Sequence, residues 1–413
     1  MNKHCYRIIF NRARQLLMVV ADIAKSRVKT PSSSRRSGRS APDASLSVTL
    51  KPLVWSLALA VGAVSFHTAA AVVADGSAPG NQQPTIIAGA NGTPQVNIQS
   101  PNSSGVSHNK YQNFDVDNKG VILNNSAVNT QTQLGGLITG NPWLAKGEAS
   151  VILNEINSAN PSQLNGFVEV AGKRADVIIA NPAGITCSGC GFINANKTTL
   201  AAAQVLLEQG KIAGFDVKNG QIAIQGNGLN DTQSDYTQLI ARAVKINAKL
   251  HAKDLSVTTG KNRTDANGKV LSTEATSDTA PEFAIDVASL GGMYANKIRL
   301  VGTDKGVGVR NAGELGAAVG DVVLSVDGRI RNAGVITANQ HIDIHSQASI
   351  ENQGTLLAKS DIQLQAKEAI TNTQQGQIVS GRDTRLNANT LQSDNTALLA
   401  AGINEKGQLT ASG

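Results

Sequence analysis

Aromatic residues are scarce, with 2 Trp, 4 Tyr and 7 Phe among 413 residues. That shortage argues against a compact core built on large rings. Proline is sparse as well, at 11 residues, whereas Gly, Asn, Ala, Gln and Thr are abundant. Such a chain suits many short strands joined by tight turns, where Asn and Gly tolerate left-handed backbone. Long apolar runs are missing too. The most apolar stretch, LVWSLALAVGAVSF, spans residues 53–66 and falls short of the roughly 20 residues that cross a bilayer. Excess charge is confined to one end. Residues 1–71 hold 11 Lys/Arg against 2 Asp/Glu, which leaves 37 − 11 = 26 basic and 30 − 2 = 28 acidic residues for the rest of a chain whose net charge is +7. The body is nearly neutral and has no basic stripe interleaved with aromatics, so nucleic-acid binding has no support.

The basic end reads as a leader in two parts. Residues 1–26 are mixed basic and apolar, and TPSSSRRSGRS follows at 30–40. Then come Lys51, the apolar run and HTAAA, which together have the n-region, h-region and Ala-x-Ala end of a secretory signal peptide. Cleavage is expected near Ala71, giving an exported chain with no stable transmembrane segment.

Export bears on the cysteines, of which there are three. Cys5 leaves with the leader, so Cys187 and Cys190 remain. A structural zinc site needs four ligands, and no second C-x-x-C or nearby His pair exists. A redox site of the thioredoxin kind wants a βαβ context. In a Gly-rich turn of an exported protein the favoured reading is a local disulfide clip, over free thiols and over redox catalysis.

The C-terminal third repeats. RIRNAG (329–334), SIENQG (349–354) and AITNTQQG (369–376) place Asn332, Asn352 and Asn372 at a period of 20. Ile330, Ile350 and Ile370 each stand two residues before that Asn. Ile342 with Ile344, and Ile362 with Leu364, follow at matching offsets. The third unit slips by two residues at QQG and resumes at Thr384 and Leu386, while Asn311-Ala312-Gly313 suggests an earlier unit. A 20-residue unit cannot bury its apolar face alone but can do so stacked on copies of itself. The predicted fold is all-β: a right-handed parallel β-helix with extra hairpins, preceded by the signal peptide. Its hand is inferred from parallel crossovers, and the recurring Asn is predicted to form a polar ladder. A leucine-rich repeat would need an L-x-x-L-x-L frame, which is absent.

Upstream, VILNN (121–125) and VILNE (151–155) read as strands, and FVEVAGKRADVIIANP (167–182) as two strands about Gly172 with its charges on an exposed face. GFDVKNGQIAIQG (214–226) reads as hairpin-sized with a turn at NG, and 254–282 as a long exposed excursion. Residues 395–413 show no distinct cap, so the parent protein is expected to continue, or the chain to be a truncated product. The organisation expected is a bipartite leader at 1–71, a first and less regular β domain at 72–310 and β-helix repeats at 311–413.

NPWL (141–144) and NPAGI (181–185) are turn signals, because Asn bonds its own backbone two residues on and Pro presets φ. Their pairing 40 residues apart, followed by CSGCGFINANKTTLA, resembles the N-terminal secretion domain of two-partner secretion exoproteins. Filamentous haemagglutinins, secreted haemolysins and contact-dependent growth-inhibition proteins belong to that family. ADGSAPGNQQPTI at 74–86 resembles the start of their mature chains, and the leader resembles their extended signal peptide. The family motifs are N-P-N-L and N-P-N-G-I. Asn141, Pro142 and Leu144 match the first, with Trp143 in place of Asn. Asn181, Pro182, Gly184 and Ile185 match the second, with Ala183 in place of Asn.

The resemblance implies export through the periplasm to the cell surface or medium of a Gram-negative bacterium. The implied partner is a cognate outer-membrane β-barrel transporter with periplasmic polypeptide-binding domains. It implies an adhesin or haemagglutinin whose N-terminal part is secretion signal and folding nucleus, with a host or bacterial surface receptor as possible further partner. It also implies that changing Asn141 or Asn181 harms export more than the folded stack. The alternative is the delivery stalk of a growth-inhibition toxin or haemolysin whose effector lies beyond Gly413. A β-helical polysaccharide lyase or glycosidase would need a carboxylate cluster. The tempting groups are Asp115 with Asp117, and Asp343 between His341 and His345, where alternation turns the two Ile residues inward and leaves a solvated face. No catalytic residue, metal or cofactor is expected.

Overall fold

The computed structural model describes residues 6–11, 16–21, 71–274, 278–404 and 406–410. They fall into two units, Met1–Phe66 and His67–Gly413. In the first, strands Tyr6–Asn11 and Leu16–Ala21 pair antiparallel. The apolar run at 53–66 and the residues up to 70 lie outside the described residues.

The second unit is a parallel β-helix. Its strands assemble into three long sheets of 12, 13 and 10 strands among the described residues. From Ser162 to Asn387 each coil contributes one short strand to each of these sheets. Ile330 pairs with Ile350 and Ile350 with Ile370. Leu324, Ile344, Leu364 and Leu386 align in a second sheet, and Leu315, Ile336, Leu356 and Ile378 in the third. Apart from Leu386 at the edge, these side chains are buried in one continuous core, so the small aliphatics fill the axis without needing large rings.

The asparagines register as the period requires. Asn311, Asn332, Asn352 and Asn372 are direct partners in the 10-stranded sheet. Each Nδ2 donates to the next Oδ1 at 2.8 Å. The two-residue slip at QQG is absorbed at Gln374 and Gln375, whose φ values are 55° and 66°. Both stand in the left-handed region, and their backbone N–H groups donate to Asp394 and Thr396 on the following coil.

Beside each Asn stands a glycine that the stack requires. A Cβ on Gly313 would run into the carbonyl oxygen of Gly291, one on Gly334 into that of Gly313, and one on Gly354 into that of Gly334. Successive coils touch backbone to backbone at this corner.

Additions to the stack differ from the sequence reading in four places. Asp254–Thr259 is a buried strand of the 12-stranded sheet, so the supposed excursion begins later. Asn262–Asp265 and Val270–Thr273 form a hairpin, and residues 275–277 are outside the described set. Secondly, the NG of 214–226 joins no hairpin. Lys211–Asp216 pairs antiparallel with Gln204–Glu208 and Asn262–Asp265, whereas Gln221–Ile224 is a parallel strand of the 10-stranded sheet.

The four antiparallel strands cover a second apolar cluster that includes Leu153, Ile178, Phe215 and Ile240. This explains the runs VILNE and ADVIIA. Ile152, Val177 and Ile179 face the axis while Leu153 and Ile178 face the cover, and a strand buried on both faces reads as continuously apolar.

A third correction concerns Glu169, which is not on an exposed face but buried. Its two carboxylate oxygens accept the N–H groups of Gln133 and Leu134 at 2.7 Å, holding the hairpin formed by Thr130–Thr132 and Gly136–Ile138. Lastly, the first coils are finished by antiparallel strands unforeseen from sequence. Val72–Ala74 pairs with Val106–Phe114, and Thr85–Ala88 with Pro94–Asn97. Val72 and Ile86 thereby pack on the core.

Candidate functional site

Both Asn-Pro motifs form corners where the chain leaves one sheet for another. At the first, Asn141 Oδ1 accepts the Trp143 N–H at 3.0 Å, the side-chain turn that Asn is suited to make. Its Nδ2 donates to the carbonyls of Ile98 and Asn124 at 2.8 and 3.0 Å. Pro142–Leu144 makes one 3-10 turn, which returns Leu144 to the core. Trp143 projects outward, 46% exposed, with Nε1 donating to Thr85 Oγ1 at 3.2 Å. The bulky residue at the family's usual Asn position therefore fits by leaving the corner.

At the second corner Asn181 Oδ1 accepts the Ala183 N–H at 2.9 Å. Its Nδ2 donates to the Asn160 carbonyl at 2.9 Å and to Ser162 Oγ at 3.0 Å. Gly184, with φ at 122°, passes against the Gln221 backbone. Ile185 then enters the core as the first residue of strand Ile185–Cys187. Pro182 stays exposed. Asn141 and Asn181 are 2% and 0% exposed. Each carboxamide is fully engaged inside the fold, so changing either residue also carries a cost to the stack.

Cys187 and Cys190 are joined by a disulfide with Cα atoms 5.4 Å apart. Both are buried. Cys187 ends one strand and Cys190 begins the next, in a different sheet. Gly189 between them has φ at 91°. The bond spans this corner with a sequence separation of three residues, a short loop that adds little chain-entropy stabilisation.

In HIDIH, Ile342 and Ile344 are buried and Asp343 is exposed. His341 Nδ1 lies 3.3 Å from Asp361, which Arg382 also engages. Asp115 accepts the Gln163 N–H, and Asp117 that of Lys119. Among the described residues no three His, Cys, Asp or Glu side chains are grouped to hold a metal ion.

Sequence reasoning passed over one interior acid. Asp231 is buried and receives the hydroxyls of Ser234 at 2.5 Å and Thr237 at 2.7 Å, with Thr198 bonded to Ser234 at 3.0 Å. Burial pushes its carboxyl up to about 6, against the pull of those hydroxyls. The folded state therefore holds a proton that the unfolded chain releases near 3.8. Stability from this group is full below that value and declines as pH rises to about 6, in total by about 3 kcal/mol. Asp231→Asn should flatten this portion of the stability profile, seen in denaturant melts at pH 4 and pH 7. A wild-type slope retained in the variant would disprove the assignment.

The family profile described as TPS secretion domain matches residues 70–336. The chain belongs to that family. A second profile, Extended Signal Peptide of Type V secretion system, matches residues 1–51. Together they mark an exoprotein exported through the periplasm of a Gram-negative bacterium to the cell surface or medium. The TPS domain and its flanks are 56% identical over 362 residues to "Toxin CdiA" of Yersinia pestis, covering 87% of this chain and 11% of that protein. They are 43% identical over 337 residues to "tRNA nuclease CdiA-2" of Burkholderia pseudomallei, covering 81% and 11%. The chain thus spans about a tenth of the length of these curated relatives. Among solved structures, the filamentous hemagglutinin secretion domain superposes with a TM-score of 0.55 at 30% identity, covering 80% of this chain and 99% of that one. Both matches are described as secretion domains, and the β-helical fold is common to them and this chain.

Proposed function

We propose that residues 72–310 are read in the unfolded state by the periplasmic polypeptide-binding domains of a cognate outer-membrane β-barrel transporter, and then fold outside as the nucleus on which residues 311–413 stack. The observation that carries this is the burial of Asn141 and Asn181. A partner that reads the two Asn-Pro motifs must meet them before the corners close. Parallel, non-local pairing folds slowly, which keeps the chain in readable form during transit. The buried disulfide supports the same order, since a local clip closes without the stack.

The test is direct. Purified transporter periplasmic domains are mixed with the mature chain just diluted from urea, and separately with the folded chain. Binding should be confined to the freshly diluted chain and decay as folding proceeds. Equal or tighter binding by the folded chain refutes the reading.

Beyond export, the segment serves a surface adhesin or haemagglutinin whose receptor is on a host or bacterial cell. A second reading is favoured by the relatives' names: the β-helix begins the delivery stalk of a growth-inhibition toxin. In that case the nuclease chemistry named for relatives belongs to the nine-tenths of their length that this segment does not match. We assign no catalytic step to the segment itself.

A further inference from the structure

The outer face of the 13-stranded sheet carries an aromatic step beside a missing side chain. His251, Tyr294, Gly316 and Thr337 are successive partners in one outward column. His251 and Tyr294 stack with ring centroids 5.1 Å apart and planes 17° from parallel. The stack runs along the helix axis, so the second face of Tyr294 looks toward the next coil, and there the column holds glycine. A Cβ on Gly316 would lie 3.5 Å from Tyr294 Cδ1 and 3.6 Å from Thr337 Oγ1. Those two gaps put Tyr294 Cδ1 and Thr337 Oγ1 at most about 7 Å apart, room for one layer of ring carbons whose hydroxyl bonds Thr337 Oγ1. A groove of about 400 Å³ occupies this position. It shares Ala317, Ala318 and Thr337 with a second groove of about 510 Å³ farther along the axis.

The chemistry of the slot narrows its occupant. The Tyr294 hydroxyl donates to Glu314 Oε2 at 2.9 Å, which fixes the ring and leaves Oε1 free to accept. The negative face of an aromatic ring attracts the weakly positive C–H face of a pyranose. A carboxylate and a hydroxyl on the rim match sugar hydroxyls, and the carboxylate repels phosphate-bearing ligands. We propose that this column binds a neutral oligosaccharide, one ring against Tyr294 above Gly316 and the next units along the shared groove. The site is independent of how the chain is exported.

Saturation-transfer NMR on the folded exported chain with cellohexaose, maltohexaose and chitohexaose tests it. Ring C–H protons of at least one saccharide should show transfer. Tyr294→Ala should weaken that binding at least tenfold, and so should Gly316→Val, which fills the slot. A Cβ on Gly316 meets only ordinary van der Waals contacts, and a urea melt of the valine variant establishes that it is folded before its binding is read. No transfer to any of the three, or wild-type binding by the folded valine variant, overturns the proposal. Binding of an aromatic peptide in place of all three saccharides overturns it equally.

Discussion

Asn181→Ala should lower the stability of the folded domain by about 3 kcal/mol. The carboxamide is wholly buried and makes three hydrogen bonds, to the Ala183 N–H, the Asn160 carbonyl and Ser162 Oγ. Alanine leaves those groups without their partner in the interior, at about 1–3 kcal/mol for each group left unpaired. Asn141→Ala should behave alike, since Ile98, Asn124 and Trp143 lose the same kinds of bond. Asn181→Asp keeps the acceptor for Ala183 but loses both donations, so it should not rescue the loss. Urea melts of the mature chain measure all three. A cost under about 1 kcal/mol at either alanine site would mean that the corner is held by Pro and backbone alone. Because both residues lie at fold corners, an export defect in either variant needs its stability measured before recognition is inferred.

Gly334→Ala should be at least as damaging, by about 3 kcal/mol, through overpacking of one backbone on another. Its new methyl would meet the Gly313 carbonyl oxygen, with the Ala312 and Gly313 backbone close behind. Nothing there is the end of a flexible side chain. In a stack whose units touch only their neighbours, such a fault divides the array. Hydrogen exchange should show coils beyond residue 334 losing protection while the coils around Val168 and Leu200 keep it. Gly316→Ala is the control, because its methyl would meet only ordinary contacts. Uniform protection in the Gly334 variant would contradict the backbone-on-backbone packing.

The repeats were legible because each coil states the same thing again. Asn332, Asn352 and Asn372 with their preceding Ile residues gave the coil length, the register and the ladder. Even the slip at QQG was readable, though the left-handed pair that absorbs it was not. Additions outside the stack left weaker traces. Lys211–Asp216 and Gln221–Ile224 look like two arms of a hairpin around Asn219-Gly220, because a local pattern cannot say which distant strand each will pair with. Glu169 looks like any exposed charge on an alternating strand, and only the distant loop at 133–134 makes it interior. The one available signal for the covering sheet was the unbroken apolarity of VILNE and ADVIIA, which implies two covered faces. At the candidate site, the motif residues and the cysteines were found from sequence, but the burial of both Asn side chains was not. An exposed turn and a buried corner use the same Asn-Pro chemistry.

The asparagine ladder has a direction. Every Nδ2 points toward the later coil, and its other bonds, such as that from Asn332 Nδ2 to the Gly334 carbonyl at 3.3 Å, hold the amide that way round. The leading edge of a half-built stack therefore always presents the same unsatisfied amide proton to whichever coil arrives next. The opposite edge presents an oxygen lone pair instead, so the two ends of the ladder are chemically distinct.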